Sequence, residues 1–186
     1  RSTLFPYTTL FRSSYGQMQM RMRETNLVGF VKDIYNLFDS QAKAKQITFL
    51  FNHDSEDIPV WIDRQNFDKV FMNVLSNAFK YTPTGGEIGI RLTHNAESAT
   101  IAIYDNGEGI PEDKINKIFD RFYQTPTSMN DRYVGTGIGL DLTRSLVELH
   151  HGTITVHNLE KGCEFVINIP MGNSHLNPDE ILLDDS

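Results

Sequence analysis

The sequence has almost no cysteine and no excess of basic residues. Cys163 is the only cysteine among 186 residues, so the chain can form neither a disulfide framework nor a thiolate metal site, and a reducing, cytoplasmic setting is expected. Lysine and arginine number 17 against 24 acidic residues, and the net charge of −7 argues against general nucleic-acid binding. The apolar runs are far shorter than the roughly 18 residues that a membrane span needs. We therefore expect a soluble globular domain whose only polyanionic ligand is small.

Residues 1–13 are excluded from the fold prediction. The stretch from Thr3 to Ser13 matches, residue for residue, the translation of a widely used sequencing adapter, and we interpret it as an assembly artefact. The chain does not begin with methionine, so we expect the natural protein to begin upstream.

Hydrophobic periodicity predicts a mixed α/β domain in the rest of the chain. Alternating methionines predict a strand at 17–24, and Thr25 and Asp63 are the expected N-caps of two helices. A third long helix is expected after Gly139 and a short one at 112–119. Further strands are predicted at 47–52, 59–62, 86–94, 99–105, 152–158 and 163–170. Together these elements predict an α/β two-layer sandwich, a mixed sheet with helices covering one face.

The segment VGTGIGLDL (134–142) has glycine at every second position and lacks the residues of two familiar phosphate loops. No lysine follows Gly139, which excludes a P-loop, and Leu140 stands where a dinucleotide-binding fingerprint has its third glycine. A glycine loop that leads into a helix can still bind phosphate through backbone N–H groups. A tight joint between loop and helix, without a ligand, explains the pattern equally well.

Two further clusters contain residues suited to a nucleotide. Asn73 and Asn77 lie one helical turn apart and Lys80 follows, which favours a Mg²⁺ and phosphate site, although a polar stripe facing solvent has the same spacing. Asp105 follows an apolar strand and precedes Gly107 and Gly109. A carboxylate beside glycines can accept a hydrogen bond from an exocyclic amine, but a simple Asp-Asn-Gly turn has this sequence as well.

Four motifs follow one another along the chain: the cluster of Asn73, Asn77 and Lys80, then D-x-G-x-G from Asp105, then F-x-x-F at Phe119 and Phe122, and finally G-T-G-I-G-L from Gly135. In this order they resemble the ATP-binding catalytic domain of bacterial sensor histidine kinases, in the superfamily shared with gyrase, MutL and Hsp90. Residues 135–158 are especially similar to hybrid two-component regulators of Bacteroides-type bacteria. The resemblance implies a Bergerat-type ATP-binding fold over 26–171, preceded at 14–25 by the end of a dimerisation region and the first strand, and followed by an acidic linker or tail at 172–186.

The resemblance also implies roles for individual residues. Asp105 would bind the adenine amino group in a pocket that Gly107 and Gly109 shape, and Asn77, with Asn73 beside it, would bind Mg²⁺. Lys80 and the arginines would contact phosphate, Tyr81 would pack on adenine, and the two phenylalanines would support a lid over 123–134. The full nucleotide-binding set implied is Asn73, Asn77, Lys80, Tyr81, Asp105, Gly107, Gly109, Arg121, Arg132, Gly135, Thr136, Gly137, Gly139 and Leu140.

The resemblance implies that the residue at one position distinguishes the kinases of this superfamily from its hydrolases. Gyrase-like relatives carry a glutamate as general base where this chain has Asn73, which cannot accept a proton, so fast hydrolysis is disfavoured. None of the six histidines lies in the setting of a phosphoacceptor, and His150 and His151, at a helix end, are interpreted as structural. We therefore expect the catalytic residues, the acceptor histidine and its base, to lie outside this sequence.

The expected function is that of a kinase domain that binds Mg-ATP and delivers the γ-phosphate to a histidine on a helical dimerisation domain. The expected partners are that domain, a response-regulator receiver domain and, in the full protein, a second copy, with no nucleic acid bound. The expected location is the cytoplasmic part of a sensor anchored in the inner membrane. Two alternatives remain at this point: an ATP hydrolase of the gyrase or MutL type, and a degenerate protein-binding module.

Overall fold

The computed structural model describes residues 19–120 and 139–183. Two sheets are present in these ranges, one of five strands and one of two. The strands are β1 (Arg23–Asn26), β2 (Thr48–His53), β3 (Pro59–Ile62), β4 (Glu87–His94), β5 (Ser98–Asp105), β6 (Thr153–Asn158) and β7 (Cys163–Pro170). The helices are α1 (Leu27–Leu37), α2 (Asp39–Ala44), α3 (Arg64–Tyr81), α4 (Glu112–Ile115) and α5 (Gly139–Leu149), and a 3₁₀ helix spans Pro178–Glu180.

The five-stranded sheet is mixed, in the order β2-β4-β5-β7-β6. β2 pairs with β4 in parallel, and the other three pairings are antiparallel. β4, β5 and β7 are the inner strands, and Asp105, the last residue of the central strand β5, pairs with Ile88 on one side and Cys163 on the other. The carboxylate that the sequence singles out therefore ends a strand near the middle of the sheet.

One face of this sheet is covered by the long helices, as predicted. Burial alternates strictly along β5 and β7, so that every second side chain enters the core. α3 contributes the largest helical share, including Phe67 and Phe71, both fully buried. The resulting helix-on-sheet core confirms the two-layer α/β sandwich. None of the helices in the described ranges has the length and hydropathy of a membrane span.

Helix caps follow local rules, with one departure from the prediction. Asp63 caps α3 as expected, its Oδ1 accepting from the backbone N–H of Asn66 at 3.3 Å. The N-cap of α1 is Asn26, not Thr25: Asn26 Oδ1 accepts from the N–H of Val28 at 3.1 Å and from that of Ile58 at 3.1 Å. Asn26 thus satisfies a donor just before β3 as well as one in its own helix.

The segment after β7 is a strap across the small β1-β3 sheet, whereas the sequence suggested an acidic linker or tail at 172–186. Gly172 forms a bridge with Val60 on β3, and Ile181 forms one with Met22, just before β1. The backbone N–H of Met22 donates to Glu180 O at 2.7 Å, and that of Leu182 to Met22 O at 2.7 Å. An apolar cluster lies beneath the strap: Met20, Met22, Trp61, Leu149, Leu176 and Ile181. Met20 and Met22 thus face a core to which the C-terminal segment contributes, but the strand predicted at 17–24 is wrong in its bounds, because β1 begins at Arg23; Met18 lies outside the described residues.

His150 ties the end of α5 to the start of α3. Its side chain is 1% exposed; Nε2 accepts from the backbone N–H of Asp63 at 3.1 Å, so Nδ1 carries the proton and donates to Leu146 O at 2.7 Å. Burial is the main cause that lowers the pKa of His150 below its ordinary value of 6.5, and His151 also lowers it, while Asp63 opposes the shift. The predicted structural role of this histidine is therefore confirmed in detail.

Leu176→Ala is expected to lower the free energy of unfolding by about 2 kcal/mol, since it removes buried methyl groups and leaves a cavity. Leu176 is 9% exposed, and Leu183, in the same segment, is 77% exposed. Leu183→Ala is therefore the matched control and should change stability by less than about 0.5 kcal/mol. Urea denaturation of both variants measures the difference, and equal effects would show that the strap contributes nothing.

Stability is expected to fall as pH is lowered through 6.5, because His150 takes up a proton in the unfolded chain before it does so in the fold. His150→Gln removes this titration, so its free energy of unfolding should depend less on pH between about 7.5 and 5, although it is lower by about 1–3 kcal/mol. His175, whose pKa burial also lowers, contributes in the same direction in both proteins. His157→Gln, at an exposed strand position, is the control. An unchanged pH dependence in His150→Gln would contradict this account.

Candidate functional site

Asp105 is a buried carboxylate at the carboxyl end of β5. It is 2% exposed; Oδ1 accepts from the backbone N–H of Gly107 at 2.9 Å, and the thiol of Cys163 lies 3.5 Å from Oδ2. A carboxylate is costly to bury unless hydrogen bonds satisfy its oxygens, and these contacts hold it in place. The structure thus presents an acceptor of fixed position at the end of the central strand.

The glycine turn after Asp105 is fixed by the β6-β7 hairpin. Asn158, the last residue of β6, accepts from the N–H of Ile110 at 2.9 Å and donates to Ile110 O at 2.7 Å. Gly109 has a φ of +80°, and a Cβ there would lie 3.0 Å from Oδ1 of Asn158. Gly162, with a φ of +88°, is closer still to the site, because a Cβ on it would lie 1.9 Å from the carbonyl oxygen of Asp105.

The C-terminal end of α3 lies against the same turn. A Cβ on Gly86 would lie 2.5 Å from Cγ2 of Thr82, the C-cap of α3, and 2.9 Å from Oδ1 of Asn106. Asn106 in turn accepts from the N–H of Glu87 at 2.7 Å. The hydroxyl of Thr82 is fully buried and has no hydrogen-bond partner among the described residues. The C-terminal end of α3 and the turn after Asp105 are therefore neighbours, and the C-cap of this helix carries one buried hydroxyl.

The middle of α3 contacts the first turn of α5. The amide nitrogen of Asn73 donates to Gly139 O at 3.2 Å and to the hydroxyl of Thr143 at 3.1 Å, and that hydroxyl donates to Gly139 O at 2.6 Å. Asn77, one turn further along the same side of the helix, is half-buried. Asn73 is thus bonded to the helix that follows the glycine segment.

Cationic side chains surround the C-terminal end of α3. Lys80 is exposed, and its ammonium lies 5.1 Å from the ring centroid of the half-buried Tyr81. Lys45 donates from Nζ to Phe79 O at 2.5 Å and to Lys80 O at 3.4 Å, a favourable place for a cation at a helix C-terminus. Both ammonium groups lie at the end of the helix that approaches the Asp105 turn.

The predicted site residues that lie in the described ranges are close to one another in the structure. Asp105, its glycine turn, α3 and the first turn of α5 form one contiguous region. Leu140 is 3% exposed, so its side chain belongs to the core and only its backbone could face a ligand. Phe119 packs edge-on against Phe165 with ring centroids 6.2 Å apart. Six predicted residues lie outside the described ranges: Arg121, Phe122, Arg132, Gly135, Thr136 and Gly137.

Four residues at this site were missed by the sequence reasoning: Lys45, Thr143, Asn158 and Gly162. Each acts on a residue distant in the chain, such as Asn158 on Ile110, 48 positions away. Gly162 had a local signal in the turn before β7, but its contact with Asp105 depends on strand pairing.

Comparison with known proteins identifies the region. Residues 62–173 match the family model described as histidine kinase-, DNA gyrase B- and HSP90-like ATPase. This chain belongs to that family. Within the family it is a histidine kinase ATP-binding catalytic domain, because its curated relatives are histidine kinases and its structural neighbours include kinase catalytic domains.

The relatives are much longer than this chain. It is 38% identical to histidine kinase P4 of Formosa agariphila over 90% of its own length and 13% of that protein. It is 33% identical to the sensor histidine kinase WalK of Bacillus subtilis over 77% of the chain and 24% of WalK. The solved catalytic domain of the histidine kinase ThkA is 32% identical, with a TM-score of 0.73, covering 81% of this chain and 96% of that one.

Gly162→Ala tests how closely this histidine kinase domain packs its hairpin onto Asp105. We expect a loss of about 3 kcal/mol in the free energy of unfolding, because the new Cβ strains a positive φ and collides with backbone. Gly85 has a φ of +86° with nothing within 4 Å, so Gly85→Ala carries the strain without the collision. That control should cost only about 1 kcal/mol. Equal losses in urea denaturation would show that the contact is not tight.

Proposed function

We propose that this domain binds Mg-ATP between the Asp105 turn and α3, and delivers the γ-phosphate to a histidine of a helical dimerisation domain outside this sequence. The observation that supports the proposal most directly is the buried Asp105 at a strand end, with the end of α3 beside its turn and the first turn of α5 bonded to the same helix. The family match supports the nucleotide. What we propose beyond that match is which residues hold the nucleotide and that its γ-phosphate is transferred to a histidine.

The adenine end of the site fits the residues present. Asp105 is an acceptor with two oxygens, each able to accept more than one hydrogen bond, a chemistry that suits an exocyclic amine as it suits the N–H of Gly107. Gly107 and Gly109 allow a flat base to approach the backbone. The buried Thr82 hydroxyl adds a polar group that water or the nucleotide could satisfy. Tyr81, at the end of α3, supplies an aromatic ring for the base.

The phosphate end fits a magnesium complex. Asn77 and Asn73 offer amide oxygens, a ligand type that Mg²⁺ accepts, and Lys80 adds an exposed cation. When bound, Mg²⁺ neutralises charge on the phosphates during transfer. The described residues contain no group of three His, Cys, Asp or Glu side chains that could hold a metal ion. We therefore assign the metal to Asn77, with Asn73 beside it, and the phosphates to Gly139, Leu140 and the predicted residues outside the described ranges.

Transfer to a protein histidine is preferred over hydrolysis. A hydrolase needs a general base near the metal, and at the position where gyrase-like relatives carry glutamate this chain has Asn73, whose amide nitrogen donates to α5. An amide cannot take a proton from water. The role left to these residues is to bind and orient the nucleotide, which is the main contribution of proteins to phosphoryl transfer.

The whole protein is proposed to be a hybrid sensor kinase of the Bacteroides type. One similar relative is the histidine kinase P4 of Formosa agariphila. The histidine kinase ThkA has been solved in complex with the response regulator TrrA, and in that structure ThkA is 27% identical to this chain, with a TM-score of 0.71. We infer a receiver domain as partner, dimerisation through the helical domain, and a place on the cytoplasmic side of a membrane-anchored sensor. We also infer a catalytic domain over 26–171, with residues 1–13 as an artefact.

Calorimetric titration of the 186-residue chain with a non-hydrolysable ATP analogue is expected to show saturable binding that is stronger with Mg²⁺. Asp105→Ala should weaken it at least about tenfold, the value of a hydrogen bond to a charged group. Asn77→Ala should remove most of the Mg²⁺ dependence. Glu108→Ala, an exposed acid in the same turn, is the matched control and should bind normally.

Two results would contradict the proposal. A folded chain that takes up no analogue would favour a protein-binding module. Release of phosphate from ATP at a rate typical of hydrolases would favour the gyrase or MutL type instead. Far-UV circular dichroism and urea denaturation establish that each variant is folded before its binding is interpreted.

A further inference from the structure

Three hydrogen bonds form a closed ring at the start of α5; two of them join α3 to α5, and the third lies within α5. The Asn73 amide donates to Gly139 O and to the Thr143 hydroxyl, and the hydroxyl donates to Gly139 O, at 3.2, 3.1 and 2.6 Å. Thr143 is fully buried and Asn73 is half-buried, so the hydroxyl in the ring is shielded from solvent. Each member of the ring contacts the other two.

We propose that Asn73 and Thr143 are positioning residues that set the first turn of α5 for the phosphates of the nucleotide. The inference rests on the proposed function, since it concerns the same site. The backbone N–H groups of the first helical turn are the groups that favour phosphate, and Gly139 and Leu140 supply them in α5. A shift of this turn relative to α3 would change the distance between those N–H groups and the Asn77 amide.

The direction of the hydrogen bonds determines which type of side chain can complete the ring at position 73. Both contacts of Asn73 are donations from its nitrogen, and the hydroxyl proton of Thr143 is directed to Gly139 O. No described residue donates to Oδ1 of Asn73. A carboxylate at position 73 would have no N–H to donate and would oppose the carbonyl oxygen of Gly139. The amide is therefore required for this helix contact, apart from any role in the metal site.

Two substitutions break the hydrogen-bond ring while they keep the volume of the side chain. Valine has nearly the volume of threonine but lacks its hydroxyl, so Thr143→Val preserves the packing of a fully buried position and removes two of the three hydrogen bonds. The substitution Asn73→Asp likewise keeps the volume of asparagine while it removes the donor nitrogen. Asn73→Asp and Thr143→Val are thus two independent ways to break one ring without creating a cavity.

The test compares a ligand that has phosphates with one that has none. The unmodified chain, Asn73→Asp and Thr143→Val are titrated with the Mg-bound ATP analogue and with adenosine, the latter followed by NMR. We expect each variant to bind the analogue about tenfold more weakly, from the loss of buried hydrogen bonds, with adenosine affinity unchanged. The double variant should lose little more than either single one, because both changes break the same ring.

Matched controls exclude effects of charge and of the Thr-to-Val change itself. Ser76→Asp adds the same charge at an exposed position of α3, and Thr155→Val removes an exposed hydroxyl on β6. Both controls should bind the two ligands as the unmodified chain does. Urea denaturation shows which variants are folded; if Asn73→Asp is not, Thr143→Val decides the outcome.

The possible failures can be told apart. Equal weakening of both ligands, or none, in folded variants would overturn the positioning role and leave the proposed function standing. Additive losses in the double variant would overturn the shared ring. No binding of either ligand by the unmodified, folded chain would overturn the proposed function, and the positioning role with it.

Discussion

The buried carboxylate of Asp105 is the constraint on which the site depends. A carboxylate at 2% exposure is tolerated only if its oxygens have hydrogen-bond partners, and those partners must approach closely. Gly107 supplies an N–H from the chain itself, and Gly162 allows the β6-β7 hairpin to pass directly over the Asp105 carbonyl. The glycines of this region are therefore required by the packing of the fold, and in the proposed function the same lack of side chains would let a ligand approach the carboxylate.

α3 connects this carboxylate to the rest of the site. One side of the helix is buried in the core, and the other presents Asn73 to α5 and ends at Thr82 beside the Asp105 turn. Its start is held by His150, which accepts from the backbone N–H of the N-cap Asp63, and its end by Lys45. A helix fixed at both ends can hold amide side chains in constant positions relative to the sheet, which orientation of a nucleotide requires.

The sequence predicted what depends on local pattern, and it failed where distant residues meet. The bounds of β7, the Asp63 cap and the structural role of His150 follow from alternation, capping rules and position at a helix end. The strap formed by the C-terminal segment was not predictable, because polar and acidic residues conceal Leu176, whose partners are the methionines at the start of the domain. Thr143 was missed for the same reason: a threonine within a helix has no pattern that indicates a partner 70 positions earlier.

The contact between Asn73 and α5 also bears on how one fold serves both kinases and hydrolases. A glutamate at this position could act as a base only if it were free to meet water, and it would have no proton to donate to Gly139 O. Asparagine, unlike glutamate, cannot act as a base, but its amide donates two hydrogen bonds to the helix that would bind phosphate. In the proposed function, the absence of a general base at position 73 and the fixed first turn of α5 thus follow from the same amide. In a domain whose proposed acceptor histidine lies elsewhere, holding the nucleotide without hydrolysing it is the property that the transfer requires.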